Sequence, residues 1–197
     1  DEVDRVFHFP EVSSDFFLML RSWHEASKSN AEFEKIKMAI SYSTEAKLAI
    51  TDLNASPFNV GEEAKIVPFE EEQVRTLVEM HGISLEDQQI HQLMDLLGGQ
   101  PYLVRRSLYL IAKGEYDFEE LIENAAKDDG PFSDHLRHHL INLKQFEDLF
   151  KAFKNILDEE RCRDAIVAAR LQAAGLVKGT PPHVSAACGL YAQYFKQ

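Results

Sequence analysis

Apolar residues at helical spacing, interrupted by glycine and proline, constrain the fold of residues 68–197 more than any other feature of this sequence. Predicted helices end at Gly82 and at Gly98-Gly99, and Pro101 stands where a further helix begins. Glycine commonly follows the last residue of a helix, and proline suits the first helical position because its missing N–H needs no partner there. The pattern therefore predicts a series of short amphipathic helices.

Two of these helices carry the residue spacing of a capping box at their start. Ser84 with Asp87, and Asp117 with Glu120, place a small polar residue three positions before an acid. The two side chains of such a pair can satisfy each other's backbone N–H groups, so we predict helix starts at both places.

The first third of the chain has a mixed pattern. Apolar residues at helical spacing predict a helix over residues 13–29, with Ser13 or Ser14 as its N-cap. Apolar and polar residues then alternate over residues 36–40, which is the period of a strand. A polar stretch follows, so residues 1–67 read as a piece of an α/β fold.

The last third predicts helices followed by a β-hairpin, which is the order of elements in a winged helix. The hairpin turn is Gly179-Thr180-Pro181-Pro182. The predicted fold class is therefore mainly α (α+β overall). Its predicted domains are an α/β portion over 1–67, a helical lid over 68–128 and a winged helix over 129–197.

Composition limits the classes of function. The chain has 197 residues, 45% of them hydrophobic, but no long apolar run and no secretory signal, so we expect a cytoplasmic protein without a membrane span. Cys162 and Cys188 are then expected to be reduced, buried thiols. The net charge of -12 repels phosphate backbones and argues against a nucleic-acid partner.

Three short groups are candidates for nucleotide chemistry, and each has a plain structural alternative. Adjacent acids such as Asp1-Glu2 can hold magnesium and polarise an attacking water, but acids are also common on any surface. The Gly98-Gly99-Gln100-Pro101 turn can bring backbone and a helix N-terminus close to a nucleotide, or can simply join two helices. Ser43-Thr44 can contact a phosphate, or can begin a polar loop.

A metal site at His135, His138 and His139 is a further possibility, because i, i+3 and i, i+4 positions share a helix face. Few metal-binding side chains accompany them, so an ordinary helix surface is the favoured interpretation. The sequence contains no phosphate-binding loop of the form G-x-x-x-x-G-K-[ST].

Several stretches, in order along nearly the whole chain, resemble a bacterial, notably cyanobacterial, group of AAA-like P-loop ATPases of the STAND type. They are Asp1-Glu2-Val3-Asp4-Arg5-Val6-Phe7, Phe16-Phe17 to Leu20-Arg21-Ser22-Trp23-His24, Ser43-Thr44-Glu45, Ser56-Pro57-Phe58-Asn59-Val60-Gly61, Gly98-Gly99-Gln100-Pro101-Tyr102-Leu103-Val104-Arg105, Asp129-Gly130-Pro131 with His135-Leu136-Arg137, and Leu171 to Leu176-Val177 with Cys188-Gly189-Leu190-Tyr191-Ala192-Gln193-Tyr194-Phe195.

The resemblance implies ATP or ADP with Mg²⁺ as cofactors. Asp1 would be the Walker B acid that holds magnesium through water, and Glu2 the catalytic glutamate. Ser43 and Thr44 would lie near the sensor position, and Gly99 with Pro101 would contact the nucleotide. These roles are what the resemblance implies.

The resemblance also implies a switch. In such proteins the exchange of ADP for ATP opens the lid and the winged helix, and attached effector or sensor modules then act. The phosphate-binding loop would precede Asp1, so we expect this chain to be a fragment without ATPase activity of its own.

Two other functions stay open. One is a winged-helix DNA-binding regulator, although its candidate recognition helix at 161–174 is nearly neutral with its flanking acids. The other is a helical interaction module without a nucleotide. The switch interpretation predicts that Asp1-Glu2, Ser43-Thr44 and Gly99-Pro101 converge on one crevice, whereas the helical module places them on unrelated surfaces.

Overall fold

The computed structural model describes residues 3, 6, 9–41, 62, 64 and 66–197. The chain divides into two units, Asp1–Lys65 and Ile66–Gln197, and each is described here by itself. The described residues form ten helices and two short strands, which confirms a mainly α fold.

The first unit contains a long helix and a short one. Helix α1 spans Pro10–Ala26 and helix α2 spans Ala31–Glu34. The predicted N-cap at Ser13 or Ser14 is wrong, because a proline in the first turn allows α1 to begin earlier, with Phe9 as its N-cap. The Phe9 carbonyl accepts from the N–H of Ser13 at 2.9 Å, so that serine lies inside the helix.

The predicted strand over residues 36–40 is also wrong. These residues have no regular secondary structure and join no ladder among the described residues. Next to them, the Ser41 carbonyl accepts one hydrogen bond, of 3.1 Å, from the N–H of Val3. Alternation describes how side chains are distributed, whereas a strand also needs a neighbour for its backbone groups.

The second unit begins with four helices. They are α3 (Glu71–Met80), α4 (Asp87–Leu97), α5 (Pro101–Ala112) and α6 (Phe118–Asn124).

The capping prediction is confirmed for α6 and wrong for α4. At α6, Asp117 accepts from the N–H of Glu120 at 2.8 Å, and Glu120 accepts from the N–H of Asp117 at 3.2 Å. At α4 the N-cap is Glu86, and Gln89 accepts from its N–H at 2.9 Å. A glutamate can therefore take the N-cap position that Ser84 was expected to fill.

The unit ends with four further helices and a hairpin. They are α7 (Ser133–Lys144), α8 (Glu147–Glu159), α9 (Ala165–Ala173), strands β1 (Val177–Thr180) and β2 (His183–Ala186), and α10 (Gly189–Lys196).

The predicted hairpin is confirmed, but its turn is shorter than predicted, because Gly179 and Thr180 belong to β1 and only Pro181-Pro182 join the strands. Strands β1 and β2 pair antiparallel, with Val177 opposite Ala186 and Thr180 opposite His183. A short third segment adds to the free edge of β2, because Arg161 forms an antiparallel bridge with His183.

One hydrophobic core runs through the second unit. Helix α10 packs on α4, α8 and β2, so the last helix of the chain touches both the early helices and the hairpin region. The largest fully buried side chains come from both halves of the unit: Leu93, Leu97, Leu103, Leu108, Leu121, Phe132, Leu136, Leu143, Leu149, Phe153, Ile156 and Tyr191. The proposed boundary between residues 128 and 129 therefore falls within a single packed unit, and as a domain boundary it stays a prediction.

None of the helices in the described part of the chain is long and apolar enough to cross a bilayer.

Candidate functional site

The structure describes two of the six candidate nucleotide-site residues. Gly99 and Pro101 lie in the turn between α4 and α5. The other four, Asp1, Glu2, Ser43 and Thr44, lie outside the described residues. The expected convergence of these groups on one crevice therefore stays a prediction.

The α4–α5 turn has the conformation that its glycines predict. Gly98 caps α4 in the left-handed region with φ 60°, and its N–H donates to the Met94 carbonyl at 2.7 Å. Gly99 also has a positive φ, of 69°. Pro101 then begins α5, as expected. Two consecutive left-handed residues make a tight reversal that side chains other than glycine rarely tolerate.

This turn is where three segments of the second unit meet. The buried Gly99 accepts a hydrogen bond of 2.7 Å from the N–H of Phe69, just before α3. A Cβ at position 99 would lie 2.2 Å from the Phe69 carbonyl oxygen. A Cβ at position 98 would lie 2.9 Å from the Cys188 Cβ and 3.0 Å from the Ala187 oxygen. Both glycines are therefore required by close backbone packing, whatever the turn binds.

A cluster of aromatic and imidazole rings lies beside the turn and joins three helices. Tyr102, in the first turn of α5, stacks on His135 of α7 with 5.3 Å between the ring centroids. The Tyr191 hydroxyl of α10 lies 2.9 Å from Nε2 of His135 and 3.4 Å from Nε2 of His139. Tyr191 is 1% exposed and His139 9% exposed, whereas Tyr102 is 53% exposed, so the cluster extends from the interior to the surface. We call these four residues the ring cluster.

The ring cluster replaces the predicted arrangement of the three histidines. His135 and His139 turn toward Tyr191, whereas the exposed His138 accepts a hydrogen bond of 3.0 Å from the side-chain amide of Asn142. The described residues contain no group of three or more metal-binding side chains placed around one point. Only His138 occupies the ordinary helix surface that the sequence favoured, since two of the three histidines are used in packing.

Comparison with known proteins gives one match. The family model of the AAA-like domain matches residues 1–197, which is the whole chain. The chain belongs to the AAA-like domain family. No curated protein and no solved structure gives a significant match. Membership of this family points to a nucleotide-binding, ATPase-like module.

The thiol nearest to the α4–α5 turn, Cys188, is unreactive. Cys188 contacts the α4–α5 turn, and its burial raises the pKa of the thiol to about 11. Thiolate is the reactive form of cysteine, so this residue is protonated at neutral pH and acts as a packing residue.

The basic residue of the helix before the hairpin packs against other residues of the domain. Arg170 of α9 forms an ion pair with Asp148 at 3.5 Å, and its guanidinium lies 5.4 Å from the centroid of the Phe146 ring. A DNA-reading helix presents its basic side chains to the major groove, whereas Arg170 packs within the domain. This packing gives the DNA-binding alternative no support.

Sequence reasoning located the turn of the AAA-like domain but missed the ring cluster. The i, i+4 spacing of His135 and His139 is visible in the sequence, where it is also compatible with a metal site. Tyr102 and Tyr191 are far from both histidines along the chain, and no local periodicity connects them.

Proposed function

We propose that this AAA-like domain is the part of a STAND-type switch that senses whether ATP or ADP is bound. The family match over the whole chain is the observation that carries the proposal. In this proposal Gly99 and Pro101 contact the base and sugar of the nucleotide. Asp1 holds Mg²⁺ through water, and Glu2 polarises the water that attacks the γ-phosphate. Ser43 and Thr44 lie near that phosphate.

The geometry of the α4–α5 turn supports the role of Gly99 and Pro101. Phe69, Ala187 and Cys188 occupy the space beside the two glycines, so a ligand would approach the turn at Pro101, and the first turn of α5 has N–H groups without helical partners. The exposed Tyr102 follows directly and offers a flat ring beside the turn. These features suit a base and a sugar better than they suit the phosphates, for which the sequence contains no loop.

The contacts of the turn also suggest how nucleotide state is communicated. A movement of Gly98 would press on Ala187 and Cys188, which directly precede α10. A movement of Tyr102 would disturb its stack on His135. We propose that residues 129–197 are a winged helix, which closes on the helices of the lid with ADP bound and separates from them with ATP bound. Effector or sensor modules would respond to that opening.

The first test is nucleotide binding and hydrolysis. The experiment compares the 197-residue chain alone with the longest natural polypeptide that contains it and a phosphate-binding loop. Binding is measured by calorimetry with ADP, ATP and Mg²⁺, and hydrolysis by release of inorganic phosphate. We expect binding and slow turnover only when that loop is present. Robust hydrolysis by the chain alone would contradict the assignment.

Variants of the longer polypeptide separate the roles of the residues. Glu2→Gln should lower hydrolysis by about 100-fold or more and leave ATP affinity within about threefold, because the second acid acts on the water and not on the metal. Glu11→Gln, at an exposed acid of α1, is the matched control and should change neither quantity. Loss of binding in Glu2→Gln would reassign this residue to the metal.

Pro101→Ala tests the turn itself. We expect it to weaken ADP binding by about tenfold, because one shaped apolar contact with a base contributes about 1–2 kcal/mol. An unchanged affinity would remove the α4–α5 turn from the nucleotide site.

A further inference from the structure

Two neighbouring helices of the second unit carry charges of opposite sign. Residues 101–114, which include α5, contain three basic residues and no acid. Residues 115–126, which include α6, contain five acids and no basic residue. Three basic residues without an acid give residues 101–114 a net charge of +3, and five acids without a basic residue give residues 115–126 a net charge of -5.

The outer face of α5 combines this charge with exposed aromatic rings. Tyr102 is 53% exposed and Tyr109 is 42% exposed, although both are large apolar side chains. They lie two turns apart on one side of the helix, with the exposed Arg105 between them and the exposed Lys113 beyond. Exposed tyrosine and arginine on one surface are typical of the centre of a protein–protein interface. We call these four residues the α5 face.

The cations of the α5 face are held in place but not neutralised. Lys113 lies over the Tyr109 ring, with 5.2 Å from its Nζ to the ring centroid, and Arg105 contacts His81. Within the part of the chain that the structure describes, neither cation forms an ion pair with a carboxylate. The third basic residue, Arg106, points elsewhere and donates to the Pro131 carbonyl at 2.6 Å.

The acids of α6 have two different uses. Asp117 and Glu120 form the capping box of the helix. Glu119 and Glu123 are exposed, and the contact of Glu123 with Lys127 is long, at 4.0 Å. Exposed pairs of this length contribute little to stability, so these two carboxylates can take other partners.

We propose that the α5 face of one copy of this domain packs against α6 of a second copy. Helices α5 and α6 pack on each other within one copy, so the two surfaces of opposite sign adjoin. A two-fold axis then places the α5 face of each copy against α6 of the other copy. Arg105 and Lys113 of one copy thereby lie opposite Glu119 and Glu123 of the other. Tyr102 and Tyr109 supply the apolar part of this contact, with the Arg105 ion pair between them and the Lys113 ion pair at one end. The ion pairs of this dimer lie outside the proposed nucleotide site, which shares only Tyr102 with the α5 face.

The charge of the whole molecule favours a second copy over a nucleic acid as the occupant. A chain of net charge -12 repels a polyanion along its whole length. Two copies also repel each other, but at about 0.15 M salt that long-range repulsion is screened over about 8 Å while contacting pairs are not. The surface of α5 is also a convex helix face and not a channel, which suits packing against another helix.

The test is the association of the chain with itself, measured by sedimentation velocity at about 0.15 M salt. We expect the wild-type chain to form a dimer as its concentration rises through the micromolar range. Arg105→Glu with Lys113→Glu should weaken dimerisation by at least about tenfold. Arg163→Glu with Lys178→Glu is the matched control, because it makes the same change in net charge at exposed positions outside the α5 face. The control should stay within about threefold of wild type.

A charge-swapped pair makes the test specific for the partner surface. Glu119→Lys with Glu123→Lys should also abolish self-association, but an equimolar mixture with the Arg105→Glu, Lys113→Glu variant should restore a mixed dimer, since every contact then again joins opposite charges. Circular dichroism checks that both variants are folded.

Three outcomes would overturn the proposal. One is a wild-type chain that stays monomeric at all concentrations. The second is a control variant that loses as much association as the α5-face variant, and the third is a mixture of the two reversed variants that stays monomeric. A monomeric wild-type chain that binds an oligothymidylate, with loss of binding in Arg105→Glu and Lys113→Glu, would assign the α5 face to a nucleic acid instead.

Discussion

Single residues at the α4–α5 turn set the positions of the segments around them. Gly98 and Gly99 allow the segment before α3 and the segment before α10 to approach the same short stretch of backbone. The Phe69 N–H to Gly99 carbonyl bond ties the first of these segments to the turn. Backbone groups in such close contact have no room for a methyl group, so glycine is required here for packing as well as for its dihedral angles.

We predict that Gly99→Ala destabilises the domain by about 3 kcal/mol or more. A left-handed alanine costs about 1–2 kcal/mol, and the clash with the Phe69 carbonyl adds to that cost. Gly82→Ala is the control, because Gly82 has φ 67° but no atom within 4 Å of the place that an added methyl group would take. It should cost about 1 kcal/mol. Chemical denaturation measures the free energy of unfolding of both variants. Equal losses of stability would show that the close contact at Gly99 does not contribute to the cost.

A second prediction at this scale concerns the Tyr191 hydroxyl. Tyr191→Phe removes the group that lies between the His135 and His139 rings, and should lower the free energy of unfolding by about 1–2 kcal/mol. Tyr194→Phe removes a hydroxyl bonded to the exposed Asp128 at 3.2 Å, and should cost less than about 0.5 kcal/mol. Urea denaturation of the two variants decides this, and a neutral Tyr191→Phe would mean that the ring cluster is held by ring packing alone.

At the scale of elements, local signals located helices better than strands. Helices α3 to α6 were expected from spacing and from breaker residues, because a helix satisfies most of its backbone hydrogen bonds within itself. The strand over residues 36–40 failed because its hydrogen bonds depend on a neighbour that the alternation does not specify. The hairpin of β1 and β2 succeeded since its partner strands are joined by one short turn.

We predict that Asp117→Ala destabilises the domain by about 1 kcal/mol through the loss of the α6 cap. Glu115→Ala, at an exposed acid two residues earlier, is the matched control and should change the free energy of unfolding by less than about 0.5 kcal/mol. The midpoints of urea denaturation give the comparison. Equal effects of the two substitutions would indicate a contribution from net charge and not from capping.

At the scale of the whole molecule, residues 66–197 behave as one packed unit. The helices predicted as a lid and the elements predicted as a winged helix share a core, and α10 contacts both groups. A switch that opens between these groups must therefore expose buried apolar surface. The ligand or partner that drives the opening must compensate for that exposure.

We predict that residues 66–197 fold without residues 1–65. The shortened chain should unfold in a single cooperative transition in urea, because its core is complete within the unit. Circular dichroism and tyrosine fluorescence should report the same midpoint. A non-cooperative transition, or different midpoints for the two probes, would mean that residues 1–65 complete the core.

Local patterns in the sequence are enough to predict the helical fold of residues 66–197, the α4–α5 turn, the α6 cap, the hairpin and the resemblance to AAA-like ATPases. Each of these depends on residues a few positions apart, or on motifs read in order. The contacts of the glycine pair with Phe69 and Cys188, and of two histidines with Tyr191 more than 50 residues away along the chain, become visible only in the packed molecule. Such contacts depend on how helices pack, and a local pattern fixes which face of a helix is buried without specifying what it is buried against.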